Sequence, residues 1–214
     1  MQTLNTFQQI IIWALPILFA ITLHEAAHGW IALRCGDRTA FQAGRVSINP
    51  FRHIDLIGTV IIPLLLFTLG GFIFGWAKPV PINWRNLRHP RRDMALVALA
   101  GPLANLLMAF FWAVLTKWGI NSENFALIYM GQAGITINLL LMLLNLLPLP
   151  PLDGSRILAS LLPPPWALKY NQLEPYGFII LLLLLISGVL FSILSPIFSF
   201  LHGLITESFN LPYL

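Results

Sequence analysis

From Ile21 to Trp30 the chain reads ITLHEAAHGW, so three ionisable side chains, His24, Glu25 and His28, sit inside an apolar run that extends from Phe7 to Leu33. A run of that length spans a bilayer, for which about 20 apolar residues are needed. Only a helix lets a single segment satisfy its own backbone in lipid, and an uncompensated acid at mid-membrane costs roughly 2.5 to 3.5 kcal/mol on insertion scales. The triplet therefore needs a use. Residues i and i+4 share one helix face, so His24 and His28 can hold one metal ion together, while Glu25, the next residue round, can reach a water on it. This is the HExxH arrangement of zinc hydrolases. Two merely structural histidines would leave Glu25 stranded among apolar groups.

Composition fixes the class of protein around that motif. Of 214 residues, 57% are hydrophobic and 9% charged, far below the charge of about 25% usual in soluble domains. An all-α polytopic membrane protein is expected, folded as a single membrane-embedded domain over 1–214, with a core over 7–162 and one or two C-terminal helices over 175–209. No polar stretch is long enough for an appended module. The lone Cys35 excludes an internal disulfide framework and a CxxC metal site. A net charge of +4 does not signal nucleic acid, because the basic residues are not interleaved with aromatics on a polar face. Setting aside Lys117, Arg156 and Lys169, the other nine of the twelve Lys and Arg lie between Arg34 and Arg92, which by the positive-inside tendency puts that region in the cytoplasm. The first apolar run has no basic stretch before it and carries the metal motif, so it reads as a retained span with its N-terminus outside rather than a cleaved signal.

Further along, Thr39 to Ile57 alternates polar and apolar residues around Gly44 and Pro50, the pattern of a short β hairpin. An edge strand there could pair with an extended substrate. His53, in this loop, is a reserve candidate for metal ligation. Gly58 to Phe74 is apolar but short and is punctuated by Pro63 and Gly70-Gly71, which suggests a re-entrant segment. Lys78-Pro79-Val80-Pro81 cannot be helix interior. Met94 to Trp118 is the next span, with Gly101-Pro102 predicted to break or kink it and Asn105 a lone amide needing a partner. Phe125 to Leu147 follows, carrying Asn138 and Asn145 and running into NLLPLPPLDGSRIL; Gly177 to Leu194 reads as a further span, and Ser195 to Phe209 is too short to assign.

The third ligand distinguishes among zinc hydrolases. The next glutamate after the motif is Glu123, at the far end of a span, and the positions three and six after His28 are Ile31 and Arg34 rather than glycine and histidine. Asp153 remains, a carboxylate in a helix-breaking segment just past a span. For it to meet His24 and His28, which lie towards the cytoplasmic end of their helix, the chain must cross the membrane an even number of times between them, which a re-entrant Gly58 to Phe74 allows. An N-cap role for the helix starting at Ser155 is the competing use of Asp153.

HEAAH in the first span, GPLAN at the start of another and NLLPLPPLDG at the end of a third together resemble the site-2 protease family of intramembrane zinc metalloproteases, over about Leu23 to Gly154. The resemblance implies a core of three transmembrane helices holding one Zn2+ through His24, His28 and Asp153, with Glu25 as catalytic acid and base. It also implies roles for Asn105 and Asn145 in positioning substrate or stabilising the site. The implied activity is peptide-bond hydrolysis in or near the transmembrane helix of a membrane-protein substrate (regulated intramembrane proteolysis). The setting would be the lipid bilayer, a prokaryotic cell (inner) membrane, with the zinc towards the cytoplasmic side. A membrane metal-ion transporter is the alternative, but it needs a polar pathway through several spans, whereas here the polar residues converge on one point.

Overall fold

In the computed structural model the described residues run from 6 to 212 except 56–57, 59–60, 62–64 and 66–77; the proposed re-entrant segment Gly58 to Phe74, apart from Gly58, Ile61 and Leu65, lies outside them. The long helices are α1 (Thr6–Arg34), α3 (Pro90–Asn121), α4 (Phe125–Asn145) and α8 (Val189–Ser208), with α2 (Thr39–Gln42), α5 (Asp153–Leu161), α6 (Pro164–Asn171) and α7 (Glu174–Ile186) as shorter pieces. All four long helices are apolar enough to cross a membrane. Local chemistry explains the helix starts. Pro90 occupies the first turn of α3, where its missing N–H costs nothing, and Asp93 reaches back to accept from the His89 N–H at 2.8 Å. At the head of α4 the Asn124 side chain accepts from Leu127 N–H, an N-cap.

Contacts along the helices fix their directions. As α3 proceeds from Val97 through Gly101 to Asn105, it meets His28, then His28 and His24, then Ala20, so α1 and α3 are antiparallel. Ser122 to Asn124 turn the chain back, α4 runs antiparallel to α3, and these two make the most extensive helix pairing. The C-terminal ends of α1 and α4 thus lie at the same level. The main core fills the α3/α4 seam with Ala109, Trp112, Ala113, Ile135, Leu139 and Met142, and is closed by Leu181, Leu190, Leu194 and Ile205 from the C-terminal helices.

The chain leaves and rejoins the bundle at one end. Arg88 N–H donates to Cys35 O at 3.0 Å, Lys78 N–H to His53 O at 3.0 Å, and Asn83 N–H to Asp37 Oδ2 at 2.8 Å. Asp37, fully buried, also accepts from Thr39 N–H, Thr39 Oγ1 and Asn86 Nδ2. Burial alone would raise its pKa; the bonds from Thr39, Asn86 and Asn83 outweigh that and hold it below the usual carboxylate range.

Three sequence-based expectations need correction. No strand occurs among the described residues, and the β hairpin over Thr39 to Ile57 is replaced by α2 and a 3-10 turn at Pro50–Arg52. Side chains take the backbone groups that a ladder would use: Asp37 captures Thr39 N–H, and Asn49 captures Phe51 N–H, both local competitors of sheet pairing. Second, of the break or kink expected at Gly101-Pro102, the break does not occur, since α3 continues through it with Pro102 inside the helix. Third, the span expected at Gly177 to Leu194 is divided at Gly188, whose φ of 75° suits glycine and ends α7 as a left-handed cap. Helix α8 then runs through Pro196 for 20 residues, absorbing the stretch that seemed too short to assign.

Candidate metal centre and catalytic cleft

His24 and His28 stand one turn apart on α1, both buried. Asp153 opens α5, and no side chain caps that helix, so the carboxylate is not spent on an N-cap. It turns to the histidines instead. His24 Nε2 to His28 Nε2 is 3.0 Å, His24 Nε2 to Asp153 Oδ2 is 3.1 Å, and His28 Nε2 to the same oxygen is 3.3 Å. The approach of α5 depends on Gly154, where a Cβ would lie 2.2 Å from Leu146 O.

Each ring is held by its other nitrogen. His24 Nδ1 lies 2.6 Å from Asn105 Oδ1, and His28 Nδ1 lies 2.7 Å from Val97 O. Both partners are acceptors, so each neutral ring carries its one proton on Nδ1 and presents a lone pair at Nε2. Two lone pairs and a carboxylate oxygen therefore converge, and Asp153 Oδ2 is buried with no hydrogen-bond donor. Such a set repels itself unless a cation lies among its members. Zinc bonds of about 2.0 to 2.2 Å to N and O in a tetrahedron require donors roughly 3.3 Å apart, which the observed separations approach. The residues fit zinc.

Gly101 supplies the space. A Cβ there would stand 2.4 Å from His28 Nε2 and 2.6 Å from His24 Nε2, so the face of α3 that looks onto the three donors must be bare. Sequence reading missed this role and took Gly101-Pro102 as a helix breaker; a glycine one helix away from an HExxH motif was the available signal.

Glu25 is half-buried, and its Oε2 accepts from Val80 N–H at 2.8 Å. Residues 78–83, which form no helix, thus pass directly beside it. A cleft of about 630 Å³ opens here, lined by His24, Glu25, His28 and Asp153 together with Val80, Trp84, Asn145 and Phe178. Of the two asparagines implied by resemblance, Asn145 lines this cleft and donates to Leu141 O, while Asn105 is fully buried behind His24. His53 does not join the cluster. It is buried rather than a surface residue, with Nε2 2.9 Å from Ser47 O, and it ties the loop to Lys78.

Bundle and site together define a class, the metallohydrolases whose zinc-type donor set is assembled among membrane-crossing helices. Comparison with known proteins narrows it. The chain is 40% identical over 180 residues to YwhC of Bacillus subtilis, named as a zinc metalloprotease, covering 81% of this chain and 79% of that one. It is 32% identical over 178 residues to Rip2 of Mycolicibacterium smegmatis, also named as a zinc metalloprotease, covering 81% of this chain and 66% of that protein. A shorter match, 33% over 102 residues, joins it to the regulator of sigma-E protease RseP of Escherichia coli, of which it covers 22%. No family model matches, and no solved structure does. The chain belongs to the site-2 protease family of zinc metalloproteases.

Proposed function

We propose that the chain hydrolyses peptide bonds in or near the transmembrane helix of a membrane-protein substrate, with His24, His28 and Asp153 holding one zinc ion and Glu25 as general base and acid. The convergence of two Nε2 lone pairs and the unpartnered Asp153 Oδ2 beside Glu25 carries this reading. When bound, zinc supplies a Lewis acid that brings water to an acidity near neutral pH. Glu25 takes a proton from the attacking water and returns it to the leaving amine nitrogen, a transfer worth about 10²- to 10⁴-fold. Val80 N–H holds one Glu25 oxygen and leaves the other for that proton. Asn145, on the cleft wall, is placed to bond the peptide backbone of an unwound substrate.

The reading takes α1, α3 and α4 as a three-helix core, with Asp153 brought in by the segment after α4, all within one domain. The charge asymmetry between Arg34 and Arg92 supports a multi-pass topology in a prokaryotic cell membrane, with the metal towards the cytoplasm. The test is cleavage of a single-span substrate in zinc-loaded proteoliposomes. Wild type should cleave, and Glu25→Gln should retain zinc without cleaving; zinc flux without cleavage in both would favour a transporter and sink the proposal.

A further inference from the structure

The polar groups buried between α3 and α4 include one that the proposed chemistry does not use. Asn138, fully buried on α4, touches neither the cleft nor a ligand. Its Nδ2 donates to Gly134 O at 2.8 Å, and its Oδ1 accepts from Asn105 Nδ2 at 3.0 Å. Asn105 Nδ2 also donates to Ala20 O at 3.2 Å, and Asn105 Oδ1 faces His24 Nδ1 at 2.6 Å. These bonds have one consistent direction. A backbone carbonyl only accepts, so Gly134 O fixes which end of the Asn138 amide is NH2 and therefore turns the oxygen to Asn105. That oxygen, with Ala20 O, in turn fixes the NH2 of Asn105 and leaves its carbonyl for His24.

Resting on the zinc reading above, we propose that Asn138 is a positioning residue that sets the tautomer of His24 through Asn105. A carbonyl at Nδ1 requires the proton there and keeps the Nε2 lone pair directed at the metal position. Without Asn138, the Asn105 amide loses the shorter of the two bonds that oppose its rotation and keeps only Ala20 O, at 3.2 Å. A rotated amide presents NH2 to Nδ1, favours a proton on Nε2, and removes one ligand. His28 is untouched, because a backbone carbonyl, Val97 O, holds it. Groups that orient a metal-binding histidine typically contribute 10- to 100-fold to metal affinity.

Zinc dissociation constants of detergent-purified full-length protein, measured by competition with a chromogenic chelator, test this. Asn138→Leu and Asn138→Ala should weaken zinc by about 10- to 100-fold. Asn138→Asp, whose buried carboxyl accepts from Asn105 and in its acid form donates to Gly134 O, should stay within a few-fold of wild type. Adding Asn105→Asp to Asn138→Leu should recover affinity, since a carboxylate beside Nδ1 cannot rotate into a donor. Wild-type affinity in both Asn138→Leu and Asn138→Ala would overturn the proposal. So would equal weakening in Asn138→Asp with no recovery in the double variant, the pattern of a packing residue. Should wild type fail to bind zinc, or His24→Ala bind it as wild type does, the reading of the site itself falls, a result distinct from a zinc-binding wild type with an indifferent Asn138.

Discussion

Gly101→Ala adds one methyl group at the point where the structure has least room for it. The new Cβ would stand 2.4 Å from His28 Nε2, 2.5 Å from His24 Cε1 and 2.6 Å from His24 Nε2, whereas comfortable non-bonded contacts lie at about 3.5 to 4.0 Å. The rings must therefore retreat by roughly 1 Å, and their Nδ1 bonds to Asn105 and Val97 leave neither a free path. Overpacking of this kind costs about 1 to 3 kcal/mol, against which alanine in a helix interior regains about 1 kcal/mol over glycine. Fold stability should thus fall by no more than about 2 kcal/mol. Metal binding has no such offset, because ligand positions must hold within about 0.2 Å. Purified Gly101→Ala should be folded by circular dichroism and monodisperse, yet retain little zinc by elemental analysis and cleave no substrate. Gly203→Ala is the control, since a Cβ at Gly203 on α8 meets nothing within 4 Å. Zinc at wild-type stoichiometry and affinity in Gly101→Ala would refute the placement of α3 against the two histidines.

Three further outcomes are expected. Asp153→Ala should lose zinc while remaining folded, because it removes one of three converging donors; full occupancy by elemental analysis would exclude Asp153 as a ligand. Asp37 has a lowered folded-state pKa, so its contribution to stability is present above the unfolded value near about 3.9 and is lost as pH falls through the lower folded value. The stability gap between wild type and Asp37→Asn, followed by thermal unfolding against pH, should accordingly close on acidification, and a gap that widens would reverse the argument. In a Cys35→Ser background, Arg45→Cys and Asn83→Cys should react with a membrane-impermeant thiol reagent from the same side only, since the loop that bears them is tied to one end of the bundle.

Strong signals in the sequence carried much of this architecture. Charge scarcity and the lengths of the apolar runs predict α1, α3 and α4 but not α8, and HEAAH with Asp153 predicts the three side chains that meet. What was not legible depended on partners distant in sequence. The alternation over Thr39 to Ile57 had the period of a strand, but Asp37 and Asn49 took its backbone donors, a competition that periodicity does not register. Gly188 lay inside an unbroken apolar run, and only its positive φ reveals the division. The bareness of α3 at Gly101 and the direction of the Asn138 amide are likewise properties of facing helices, invisible until the faces are matched.

The arrangement also explains how polar catalysis can be housed in hydrocarbon without unfolding its host. An amide or imidazole buried in lipid without a partner costs several kcal/mol, yet His24, His28, Asn105 and Asn138 satisfy one another or end on backbone carbonyls. The partners come from α1, α3 and α4, so the hydrogen bonds that orient the two histidines also clamp the three helices together. Charge is confined to the edge of that network. Asp153 enters from the segment following α4, and Glu25 faces the cleft, where Val80 N–H meets it. Because the C-terminal ends of α1 and α4 lie at one level, the carboxylates stand near the mouth of the bundle, where water has the shortest way in, while neutral amides occupy the deeper layer. Moving a charge inward, as Asn138→Asp would do, is tolerable only to the extent that the acid stays protonated. The cost of desolvating ions accounts for that division, with neutral amides in the deeper layer and carboxylates at the mouth.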